Sequence, residues 1–180
     1  MIIADRLSKT NRAELLLYMW QVEDIIRACG CDIDTLRKNY LHQFDVEPAV
    51  RKELEQWYEN LCDMMRTEGV KEKGHLQICK NMLQDLQELH GKLLQSPKFP
   101  YYKQMYYKVL PHIVGLRAKQ NDSDADELET CFNALYGIML LRLQKREVSP
   151  ETAQAAGDIS TMLGQLSDYY LKDKEEPIDF

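Results

Sequence analysis

Side chains that avoid water recur every three to four places along nearly this whole chain. That spacing returns to one face of an α-helix at each turn, whereas a half-buried strand alternates every second residue. No stretch of useful length alternates with period two. The periodicity therefore predicts an all-α fold, its apolar stripes hidden by helices lying on helices. Only 8 glycines and 6 prolines interrupt 180 residues, so the breakers act as punctuation. This length suits one domain that can bury a core without staples. The chain thus reads as a single helical domain over 1–180. Residues 1–10 form an N-terminal extension, and 172–180 a polar, mobile C-terminal tail.

The pattern resolves into a bundle of about seven helices. The first runs from Asn11, a capping residue with Glu14 three places on, to Cys29, and Gly30 stops it. From Leu15 to Val22 every residue except Gln21 is apolar, which marks this helix as central. Asp32 caps a short second helix carrying Leu36, Tyr40 and Leu41. Pro48 opens a third, whose stripe of Leu54, Tyr58, Leu61 and Met65 ends at Gly69. After a loop to Gly74, a fourth carries Leu76, Cys79, Leu83, Leu86, His90 and Leu93, with His90 at the core edge. The fifth spans Pro100 to Lys119, with a kink or a division expected at Pro111. Asn121–Asp124 reads as a polar turn, the sixth helix runs to Arg146, and the seventh from Ser149 to Leu171.

Hydrophobic residues at 44% and charged residues at 29% fit a globular protein rather than a disordered one. The formal net charge of −6 argues against general affinity for nucleic acid or anionic lipid. No apolar run approaches the roughly 18 residues of a membrane span, and the first residues lack a secretory leader. The 5 cysteines are an odd number, and only Cys29 and Cys31 lie close together. Free thiols on apolar faces point to a reducing, cytoplasmic setting.

The most distinctive text is Ala13-Glu14-Leu15-Leu16-Leu17-Tyr18-Met19-Trp20-Gln21-Val22-Glu23-Asp24-Ile25-Ile26-Arg27-Ala28. With the chain length and the helix start at Ser149-Pro150-Glu151-Thr152, it resembles a family of uncharacterised proteins of about this size from Bacteroidales gut bacteria. The resemblance implies a bacterial, cytoplasmic, helical protein. It implies no activity, and it carries over no functional residue.

Two sets of residues are candidates for a site. One is the fifth-helix surface of Tyr101, Lys103, Tyr106, Tyr107 and Lys108. Ser96 to Gln120 holds no acid but five cations, and aromatics interleaved with lysines can stack on rings and hold phosphates. The competing view has Tyr102 and Tyr106 as packing, with Asp122, Asp124, Asp126, Glu127 and Glu129 neutralising the face internally. The other set is a polar pocket of Trp20, Gln21, Glu23, Asp24 and Arg27 on the central helix. Against it stands a plain Glu23–Arg27 pair four residues apart.

Ala153, Gly157 and Leu163 match the offsets of a helix-turn-helix, yet no lysine or arginine lies between Glu147 and Leu171 to meet phosphate. A plain helix with Gly157 at a tight crossing is the better reading. His75 and Cys79 lie one turn apart, but two ligands do not close a metal site. There is no phosphate loop, dinucleotide turn, zinc-protease or nucleophile-elbow motif. The expectation is a non-enzymatic binding or protein-interaction module with no cofactor and no metal. Its partner would be another protein or a second copy, and neither nucleic acid nor membrane. The alternative is an interhelical pocket for a small anionic or aromatic ligand, and an enzyme of unidentified type comes last.

Overall fold

The computed structural model describes residues 2–120 and 126–180, which hold helices, turns and no strand. The helices are α1 (Ile2–Thr10), α2 (Arg12–Ala28), α3 (Ile33–Asn39), α4 (Pro48–Thr67), α5 (Gln77–Gln95), α6 (Pro100–Gln120), α7 (Glu127–Leu143) and α8 (Pro150–Glu175). A short 3-10 turn, Leu41–Gln43, follows α3. The all-α expectation holds. The extra helix is α1, in residues expected as an extension, and Asn11 alone separates it from α2. The turn expected at Asn121–Asp124 lies outside the described residues.

Local chemistry sets the ends. The side chain of Asp32 accepts from the Thr35 N–H at 2.7 Å, and that of Asp126 from the Leu128 N–H at 2.8 Å. Ser149 caps α8 by accepting from the Thr152 N–H at 3.2 Å, with Pro150 next. Gly69 ends α4 at φ +71°, and the Val70 N–H returns to the Met65 carbonyl at 3.0 Å. The same closure ends α7, where the Arg146 N–H meets the Leu141 carbonyl at 2.9 Å, but Lys145 occupies the left-handed position at φ +56°. α6 continues through Pro111 as one helix. α8 is also one helix, so Ala153, Gly157 and Leu163 lie in no helix-turn-helix. Gly157 is not at a tight crossing: a Cβ built there meets nothing within 4 Å.

The chain divides into two compact units. The first takes in α1, α2 from Glu14, α3, α4 and the start of α5 to Met82. Here α3 packs on α4, and Leu16, Ile26, Leu36, Tyr58, Met65 and Leu76 are buried. α2 buries Leu15, Leu16, Met19, Trp20, Val22 and Ile26, while Leu17, Tyr18 and Ile25 are half-buried. The second unit takes in Thr10–Ala13, α5 from Leu83, and α6 to α8. α6 and α8 share its largest helix–helix contact, and α7 packs on both. Leu86, Leu93, Tyr102, Ile113, Phe132 and Leu163 form its core. The segment expected as a mobile tail is helical to Glu175 and then held: Lys98 Nζ meets Asp179 at 2.5 Å, and the Phe180 ring lies 5.7 Å from Phe99.

Candidate functional site

The polar residues of α2 separate by depth. Asp24 is exposed, Gln21 half-buried, and Glu23 buried with 1% of its side chain accessible. A carboxylate at that depth must be satisfied to be tolerated. Its Oε1 accepts from the Leu76 N–H at 2.8 Å, and its Oε2 lies 2.6 Å from His75 Nδ1. The expected Glu23–Arg27 pair is a loose 3.9 Å approach. Arg27 instead meets Asp24 at 2.7 Å and the carbonyls of Val70 and Gly74. Trp20 stacks on His75 with centroids 4.4 Å apart. Glu68 accepts from the Gln77 N–H at 2.6 Å.

These contacts pin residues 70–76 to α2 and satisfy the first N–H groups of α5. A histidine held by a carboxylate can move protons. The Cys79 thiol is fully buried, and that burial, with Glu23 nearby, pushes its pKa up, away from the reactive thiolate. The set of contacts that these side chains make positions a loop. His75 is its unforeseen member, because the sequence pairs it with Cys79 and hides its approach to a residue 52 places earlier.

The α6 residues also divide. Tyr101 and Tyr107 are exposed, at 61% and 65%. Tyr106 is half-buried, and its hydroxyl donates to Glu127 at 2.8 Å. Burial, with the carboxylate beside it, pushes that phenol up to about 12. Lys103 is half-buried. Lys108 Nζ sits 2.7 Å from Asp158 of α8, and Gln154 and His112 also reach that carboxylate, at 3.1 and 3.4 Å. The hydrogen bond from Lys108 holds the Asp158 carboxyl below its usual range. Tyr101, Gln104, Met105, Lys108, Asp158 and Thr161 line a hollow of about 380 Å³. Two of the five expected residues thus meet in one hollow, where Asp158 already answers the lysine charge.

The third region is one the stripe reading passes over. Ala134 to Leu143 is apolar apart from Arg142, whichever way the helix is turned. A helix of that kind belongs in an interior. Yet of these ten residues only Ile138 is buried, and Leu143 is 61% exposed. Met139, Arg142 and Leu143 of α7 face Ala153, Gly157 and Ser160 of α8 across a groove of about 460 Å³. Large side chains form one wall and small ones the other. A separate hollow of about 220 Å³ towards α6 includes Pro111, Gly115 and Glu151. The signal was present in the sequence as apolarity on every face, but sequence cannot say which face its neighbours leave uncovered.

Among the described residues, no group of three or more His, Cys, Asp or Glu side chains is placed to hold a metal ion. No described helix is long and apolar enough to cross a membrane. No curated protein and no solved structure matches the chain. A family model described as a domain of unknown function, DUF4924, matches residues 1–177. With the match covering nearly its whole length, the chain belongs to the DUF4924 family.

Proposed function

We propose that this protein is a non-enzymatic interaction module, and that the α7–α8 groove receives a helical segment of another polypeptide. The observation that carries the reading is the half-exposed second half of α7, apolar apart from Arg142 and bordering the groove. Apolar side chains left accessible beside a groove are candidates for an interaction site. A trough between two helices suits the helix-in-groove mode, in which a partner's apolar face supplies the knobs. The groove volume also falls in the range of small-ligand pockets, but such pockets bring several polar groups to converge on one point. Here Arg142 and Ser160 are the only polar side chains in the lining. We place the protein in a reducing compartment such as the cytoplasm, since all five cysteines are free thiols.

Gly157 offers a clean test, because a side chain added there projects into open space. A photo-crosslinking amino acid at position 143 should give one discrete adduct with another polypeptide in the native cell. Gly157→Trp should abolish that adduct while the melting temperature holds. The same crosslinker at Lys52, exposed on α4, should give none. Identical products at positions 143 and 52, or an adduct indifferent to Gly157→Trp, would overturn the reading.

A further inference from the structure

The lining of the α7–α8 groove contains one charged side chain, Arg142, and no acid. Lys145 and Arg146 follow at the same end of α7, both exposed. None of these three cations has a carboxylate partner among the described residues. Favourable interaction with the end of the helix dipole accounts for one cation in the last turn, but is short-ranged and asks for no cluster.

Of the acids of α8 that line the neighbouring hollows, Asp158 is committed elsewhere. Asp158 is held by Lys108, His112 and Gln154, and Glu151 lines the separate hollow towards α6. A groove with apolar walls and an unanswered basic end therefore stands on a chain whose net charge is −6.

Resting on the groove reading above, we infer that the occupant is an amphipathic helix with aspartate or glutamate beside its apolar stripe. Complementary charge at the rim of an apolar contact fixes orientation and rejects wrong partners. Basic residues beside apolar surface also suit an anionic membrane, but there the apolar side chains form a convex face that enters the bilayer. Here Leu143 and Met139 stand beside a trough whose other wall is Ala153, Gly157 and Ser160. A trough receives a ridge, so a helix is the better fit.

The test uses the full chain and two fluorescein-labelled helical peptides that share one leucine stripe. One carries glutamates beside the stripe and the other lysines. The acidic peptide should bind at least ~10-fold more tightly, with an advantage that shrinks as salt rises. Arg142→Gln should reduce the advantage, and Arg142→Glu with Arg146→Glu should reverse it. The Gln variant guards against a fold defect in the double variant, and a melting curve of each variant checks this directly.

Equal binding of both peptides, blocked by Gly157→Trp, would overturn the charge inference and leave the groove reading standing. Binding of neither peptide would overturn both. Two further outcomes would also overturn the inference. One is sedimentation of the protein with vesicles of phosphatidylcholine and phosphatidylglycerol in equal parts, lost in the double variant. The other is a concentration-dependent dimer lost in Gly157→Trp, which would make the occupant a second copy.

Discussion

α2 and the second half of α7 are written alike and end differently. Each carries a dense apolar run, from Leu15 to Val22 in one and from Ala134 to Leu143 in the other, interrupted only by Gln21 and Arg142. α2 is the more enclosed, with Leu16, Val22 and Ile26 at 1% exposure or less, while Glu14 and Asp24 stay exposed. Its one buried charge, Glu23, is answered by the Leu76 N–H and His75. From Ala134 to Leu143, α7 buries Ile138 and leaves the rest partly open. Burial of most of its apolar positions makes the first a structural axis, and incomplete burial leaves the second with apolar side chains open to solvent. Apolar area removed from water is worth roughly 25 cal/mol per Å², so this difference has energetic weight.

Truncation should break the symmetry between the two helices most visibly. Leu16→Ala removes packing at a site with no exposure and should cost about 2–5 kcal/mol in chemical denaturation. Glu23→Ala should cost less, about 1–3 kcal/mol, by leaving the Leu76 N–H buried without its acceptor. Thermal melting should register each lost kcal/mol as a fall of roughly 2–4 °C for a chain of this size.

The interior of the second unit should answer to pH. His90 is buried, with its Nδ1 2.6 Å from the Tyr102 hydroxyl, and burial pushes its pKa below the ordinary 6.5. A histidine depressed in the folded state takes its proton more readily when unfolded. Its contribution is therefore present above pH 6.5 and is lost as pH falls through the folded value. Unfolding titrations at neutral and mildly acidic pH should show this loss, and His90→Gln should flatten that part of the profile.

On the groove side the effects shrink. Gly157→Ala should raise stability by about 0.5–1 kcal/mol, because a helix-interior glycine costs that much and the new methyl meets nothing. Leu143→Asp should change the stability of the isolated protein by no more than ~0.5 kcal/mol, as exposed positions do. A loss near that of Leu16→Ala would show that α7 is as enclosed as α2, and would remove the basis of the proposed function.

Much of the fold was legible because helices announce themselves locally. Pro48, Gly69, Asp32 and Ser149 mark boundaries by the chemistry of their own backbone neighbourhoods. α1 escaped notice because its apolar positions are few and its separation from α2 is a single residue, Asn11. The partners of the charged residues were not legible. Glu23 finds His75, and Lys108 finds Asp158, 50 positions away, through packing that no local spacing encodes. The proposed groove needed still more. Apolarity around α7 was written in the chain, but its coverage depends on how much of it α6 and α8 reach, and that is a property of three helices together.

Methionine provides the most direct test, since Met19 lies in α2 and Met139 in the second half of α7. With methyl-labelled methionine and a soluble paramagnetic reagent, NMR should show the Met139 methyl signal strongly attenuated. Met19, at 4% exposure, and Met162, fully buried, should be spared. Equal protection of Met139 and Met19 in the isolated protein would contradict the account, because the surface offered as a docking face would already be covered.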